Sequence, residues 1–128
     1  MAFRVGDIDH VALTVRDRER SAAWYRDVLG LERRYEEVWG SEPLMMCAGS
    51  SCLALFPSND DDPSPVPGHD TIAMRHVAFR LGREDFERAR AELTERGLAP
   101  EYADLGIAWS LYIHDPDGHR VELTTYKR

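Results

Sequence analysis

The sequence predicts an α+β fold made of two tandem copies of one unit, each a strand, a helix and then about three strands. Three observations carry this. IDHVALTV at residues 8–15 returns as MRHVAFRL at residues 74–81, with His10 and His76 at the same place, 66 positions apart. Each copy then enters a charged stretch with helical apolar spacing that stops at Gly-Leu, Gly30-Leu31 in the first and Gly97-Leu98 in the second. Later in each copy a strand of similar pattern follows a turn. CLALF (52–56) comes after Gly49-Ser50-Ser51, and VELTTY (121–126) after Asp115-Pro116-Asp117-Gly118.

Taken in order, the first strand places Val11, Leu13 and Val15 on one face and His10, Ala12 and Thr14 on the other, because side chains alternate along a strand. From Asp17 to Leu29, the apolar residues Ala22, Tyr25, Val28 and Leu29 fall at helical spacing, with Asp17 as N-cap and Gly30 as stop. PSNDDDPSPVPGHDT (57–71) has four prolines, four aspartates and no apolar period, which predicts an exposed linker. Asp60, Asp61 and Asp62 do not make a calcium loop, whose oxygen ligands alternate with spacers and need a glycine bend and a distal glutamate. In the second copy Val77, Phe79 and Leu81 oppose His76, Ala78 and Arg80. Its helix carries Phe86, Ala89 and Leu93 on one stripe. Residues 9–31 lie on 75–98 with one residue inserted in the second helix. The chain thus fits a single domain, 1–128, with module one at about 6–57, a linker at about 58–71 and module two at about 72–128.

A length of 128 residues is enough to bury a core without disulfides or a structural metal. A net charge of −7 lacks the basic footprint that phosphate backbones require, so nucleic acid is not expected as a partner. No apolar run approaches a membrane span, and MAFRVGDIDH has no apolar core like a signal peptide's, so the chain reads as cytoplasmic. Cys47 and Cys52 form no Cys-x-x-Cys and have no second pair, and are expected to be reduced core residues.

The doubled histidine is the chemical signal. One histidine on such a strand is more often structural than a ligand. Two at matching positions of a duplicated unit, packed about an approximate twofold axis, face each other across a cleft. A third group comes from VELTTY, where Arg120, Glu122 and Thr124 oppose Val121 and Leu123. A carboxylate in the middle of an apolar strand is costly to bury unless paired with a cation or a metal. His10, His76 and Glu122 together make a 2-His-1-carboxylate face, which holds a divalent first-row metal and leaves positions open for substrate, water or oxygen. Iron(II), manganese(II), nickel(II), cobalt(II) and zinc(II) all suit these ligand types. Ser110, Tyr112 and His114 share a face opposite Trp109, Leu111 and Ile113, so Tyr112 looks into the cleft if the latter pack into core. His69, His114 and His119 lie in the linker or beside turns and are expected to be solvated.

DHVALTVRDRERSAAWYRDVLGL, RHVAFRL and LYIHDPDGHRVELTTY together resemble the vicinal oxygen chelate superfamily of glyoxalases, bleomycin-resistance proteins and extradiol dioxygenases, over nearly the whole chain. The resemblance implies two tandem βαβββ modules forming a curved mixed sheet around a metal cleft, with His10, His76 and Glu122 as the metal ligands. It also implies a homodimer, since small members often build each cleft from two chains. Members with glyoxalase or epimerase chemistry typically add a glutamate where this chain has Ala54. A methyl group can neither bind metal nor take a proton, and Glu42 and Cys52 do not occupy the matching position, so glyoxalase I is disfavoured. Tyr102 stands about where fosfomycin-resistance enzymes carry a potassium-site lysine. Tyr112 precedes Glu122 by ten residues, as in extradiol enzymes, although fosfomycin enzymes share that tyrosine and ADLGIAWS lacks the histidine that usually precedes it. The expectation is therefore a metal-dependent enzyme acting on a small molecule with two adjacent oxygens. It is most like an extradiol dioxygenase on a catechol-type aromatic, using iron(II) and with Tyr112 as a hydroxyl donor. The alternatives are a glyoxalase- or fosfomycin-resistance-like lyase or thiol transferase, and a drug- or metabolite-binding resistance protein.

Overall fold

The computed structural model describes residues 2–128. They form two compact units, the first ending at Ser64 and the second beginning at Pro65. The α+β class and the strand-helix-strands order are both present.

In the first unit the order is β1 (His10–Val15), α1 (Arg18–Leu29), β2 (Glu32–Arg34), α2 (Glu36–Trp39), β3 (Leu44–Ala48) and β4 (Ser51–Pro57). The four strands make one mixed sheet, β1-β4-β3-β2, with β1 parallel to β4 and the other pairs antiparallel. Asp17 caps α1 as expected, its carboxylate accepting from the N–H groups of Glu19 and Arg20 at 3.0 and 3.1 Å. Gly30 closes the helix at φ 69°, where a side chain would be strained. α1 packs on β3 and β4 through buried Ala22 and Tyr25, against Leu44, Met46, Leu53 and Leu55. The one-turn α2 was not legible in the sequence, since EEVW is too short to show a helical period.

The cysteines depart from expectation. Cys47 and Cys52 are joined in a disulfide rather than reduced. The cause is register: the two-residue turn Gly49-Ser50 sets Ala48 opposite Ser51 and Cys47 opposite Cys52, with Cα atoms 4.1 Å apart. Five-residue spacing around a tight hairpin is the spacing of a directly facing pair.

The second unit runs β5 (Val77–Arg80), α3 (Arg83–Glu95), β6 (Glu101–Asp104), β7 (Ala108–His114) and β8 (Arg120–Tyr126). Its sheet repeats the first, β5-β8-β7-β6, with β5 parallel to β8. α3 packs on β8, and buried Phe86, Leu93, Leu111, Ile113, Val121 and Leu123 form this unit's core. The repeat strand is shorter than 74–81: His76 lies just before β5, whereas His10 opens β1. Between β4 and β5 there is no helix or strand. Asp60 is used locally, accepting from the N–H of Asp62 at 2.9 Å.

Of the three histidines expected in solvent, His114 is exposed. His69 is also exposed but meets Arg75 Nη2 at 2.7 Å. His119 is half-buried instead, because the turn wraps around the buried Asp115 carboxylate, which accepts from the N–H groups of Asp117 and His119 at 2.9 Å each.

Candidate metal centre

The sheet of the second unit has an apolar face turned to α3 and a polar one. Register defines the polar face: β8 offers Arg120, Glu122 and Thr124, β7 offers Ser110 and Tyr112, and β5 offers Ala78 and Arg80. Tyr112 lies directly opposite Glu122, and Ser110 opposite Thr124.

Glu122 is only 7% exposed, and both its oxygens are engaged. Oε1 lies 2.8 Å from His76 Nε2, and Oε2 accepts from Ser110 Oγ at 2.6 Å. The sequence expectation that a strand-centre carboxylate needs a partner is met by these two groups. On the other side of the imidazole, His76 Nδ1 is buried without a hydrogen-bond partner among the described residues. An orphaned buried nitrogen costs about 1–3 kcal/mol. Such an atom calls for an explanation, and a ligand-binding role is one.

Tyr112 stands edge-on to His76, ring centroids 5.7 Å apart, and the Arg120 guanidinium lies over its ring at 4.0 Å. Arg120 reaches Glu101 only at 3.5 Å, so its main contact is the tyrosine face. Burial, and then the neighbouring Glu122 carboxylate, push the Tyr112 phenol above its ordinary value. At neutral pH it is therefore a hydroxyl donor.

The first unit has the same polar face with different occupants. Ala12, Ala54 and Met45 lie side by side in its ladder, where the second unit has Ala78, Glu122 and Tyr112. Ala54 is thus the register equivalent of Glu122, as the alignment of LAL with VEL implied, and no carboxylate stands there. His10, in register with Cys52, is half-exposed and contacts Asp9 Oδ2 through Nδ1 at 2.7 Å. With Nδ1–H donating to that carboxylate, the lone pair is left on Nε2, the form a metal-binding imidazole requires.

Of the expected ligands, then, His76 and Glu122 are in contact within the second unit, and His10 is oriented in the first. Within either unit, among the described residues, no group of three His, Cys, Asp or Glu converges. The donor set, an imidazole and a carboxylate in contact at 2.8 Å, is of a kind that divalent first-row ions take. Tyr102 plays no part on this face. It pairs with Leu111, on the helix side of the sheet, and lies under Arg90 at 3.9 Å. Neither the Ser110 nor the Arg120 contact is evident from the sequence. The usable signal for Ser110 was its place two residues before Tyr112 on the same face.

The family model of the Glyoxalase/Bleomycin resistance protein/Dioxygenase superfamily matches residues 7–123. The chain belongs to that superfamily. Among superfamily relatives, a glutathione transferase FosA of Serratia marcescens is 29% identical over 116 residues, covering 91% of this chain and 78% of its own. A catechol-2,3-dioxygenase of Bacillus subtilis is 30% identical over 119 residues. It matches 91% of this chain, but the chain spans only 40% of that enzyme. A glyoxalase/dioxygenase from Nostoc punctiforme shares the fold, with a TM-score of 0.80 at 21% identity over 95% of this chain and 92% of that one. Among the described residues no helix is long and apolar enough to cross a membrane.

Proposed function

We propose that the protein is a divalent-metal enzyme that binds a small substrate through two adjacent oxygens, and that its reaction is of the extradiol-dioxygenase type on a catechol-like aromatic. The single observation that carries the reading is the contact of His76 Nε2 with Glu122 Oε1, with Tyr112 edge-on to His76. His76 and Glu122 would hold the ion, and His10, from the same chain or from a second copy, would complete the 2-His-1-carboxylate set. Bound there, the ion would supply Lewis acidity to the two substrate oxygens. The protein's own groups do the rest. Asp9 and Ser110 orient His10 and Glu122, Arg120 braces the Tyr112 ring, and the Tyr112 hydroxyl donates to a substrate oxygen.

A second reading, thiol transfer of the fosfomycin-resistance type, is favoured by the greater share of FosA that the chain spans, 78% against 40% for the dioxygenase. Glyoxalase chemistry is disfavoured by Ala54, which offers no base for moving a proton between carbons. The test is metal analysis of anaerobically purified protein, followed by assay of the iron(II) form on catechols and of the manganese(II) form on fosfomycin with a thiol. The expected result is ring cleavage of a catechol, with little conversion of hemithioacetal even with nickel(II) or zinc(II). Thiol addition to fosfomycin without catechol turnover would select the second reading.

We also propose a homodimer. β1 and β5 each end a sheet, and the segments leading into them carry the exposed side chains Phe3, Val5 and Ile8, and Ile72 and Met74. A second copy would cover such apolar surface and those edges. Sedimentation equilibrium at micromolar concentration is expected to give twice the 14.6 kDa chain mass, and a monomer would refute it.

A further inference from the structure

We propose that Ser110 is a positioning residue for Glu122, holding the carboxylate so that Oε1 alone is presented beside His76. The inference rests on the reading of His76 and Glu122 as metal ligands, and goes beyond it by explaining what fixes the carboxylate.

The hydrogen count assigns the direction of each bond. An ionised carboxylate only accepts, so the single hydroxyl hydrogen of Ser110 goes to Glu122 Oε2. At 2.6 Å the bond has the length of a charge-assisted O–H to carboxylate contact. Ser110 Oγ also lies 3.1 Å from Thr124 Oγ1, which in turn lies 3.2 Å from the carbonyl of Trp109. The Thr124 hydrogen is given to that carbonyl or to Ser110, so the serine can accept while it donates. Ser110 is fully buried, so no water replaces its bond to Oε2 from the Ser110 side.

Geometry adds the constraint. Ser110 faces Thr124 across the β7–β8 ladder, two pairs along from Tyr112 and Glu122 on the same face, and reaches Oε2 on the diagonal. A serine arm has one rotatable bond and cannot follow the carboxylate if it turns. Oε2 is therefore pinned to the strand, and Oε1 stays with His76 Nε2. Without the serine hydroxyl Oε2 loses its strand-side donor, the carboxylate is held only through His76 and Tyr112, and the ion loses a fully preset ligand.

The experiment compares the full-length metal-free protein with Ser110→Ala and Ser110→Thr. Manganese(II) and zinc(II) affinities are read by calorimetry, alongside the unfolding midpoint with and without metal. Ser110→Ala is expected to bind 10–100-fold more weakly, the usual effect of losing the group that orients a ligand. Ser110→Thr, which keeps the hydroxyl, is expected to recover most of that loss. A merely structural serine would shift the unfolding midpoint equally with and without metal and leave affinity alone. Affinity of Ser110→Ala within about twofold of the parent would overturn the inference while leaving the metal site standing. Failure of the parent to bind either ion would overturn the metal-site reading and this inference together.

Discussion

Replacing Glu122 by alanine is expected to lower divalent-metal affinity by about 10³-fold and to abolish turnover. The estimate follows from what the carboxylate does. It is the one anionic member of the expected ligand set, and it is buried at 7% exposure against His76 and Ser110. Breaking a buried charged interaction by removing one partner costs about 3–5 kcal/mol, and 1.4 kcal/mol is a factor of ten. The fold should tolerate the change better than the metal does. Alanine leaves the Ser110 and Tyr112 hydroxyls without their carboxylate acceptor, at about 1–3 kcal/mol each, and takes away the ion-pair partner of His76, but it also removes the cost of burying a carboxylate, several kcal/mol in the opposite sense. The decisive measurement is therefore the thermal midpoint as metal is added. It should rise with ion concentration for the parent chain and stay flat for the variant, because an ion stabilises only the state that binds it. Glu122→Gln, which keeps the shape and loses the charge, should fold as well as the parent and still bind weakly. A metal-dependent rise in Glu122→Ala equal to the parent's would remove this carboxylate from the site.

Much of this arrangement was legible because the sequence repeats itself. Period-two alternation around His10 and His76 set the faces of β1 and β5, and the Gly-Leu stops at residues 30–31 and 97–98 fixed both helix ends. The same logic identified Ala54 as the counterpart of Glu122, which the two sheet registers bear out. What escaped was decided by pairing across strands rather than along them. The Cys47–Cys52 bond depends on a two-residue turn placing the two residues face to face, and a cysteine count without that register favours reduced thiols. Ser110 reaches Glu122 only on the diagonal of the β7–β8 ladder, twelve residues away in sequence. His119 is drawn in by the Asp115 carboxylate, an interaction of backbone N–H groups that side-chain patterning does not encode.

Tyr112→Phe is expected to slow turnover of the cognate substrate by about 10²-fold, the lower end for a positioned proton donor or acceptor, with metal content unchanged. The two halves of that expectation come from different parts of the geometry. Metal content is expected to hold because the ring contacts survive, and Glu122, which the hydroxyl also touches, keeps its other partners. The phenylalanine keeps the edge-on packing against His76 and the face under Arg120, while Glu122 retains Ser110 and His76 as its partners. Turnover falls because the lost group is a proton kept in place. Burial and the adjacent Glu122 charge hold the phenol above its ordinary value, so across neutral pH the hydroxyl is protonated and directed from the same face as the two ligands. A donor in that state helps when negative charge builds on a substrate oxygen and does little for the resting complex, so the loss should appear in kcat more than in KM. Metal analysis and steady-state kinetics on one preparation settle the matter. Loss of metal with activity would make Tyr112 part of the binding site. Full activity with metal retained would mean that the reaction does not use its hydroxyl.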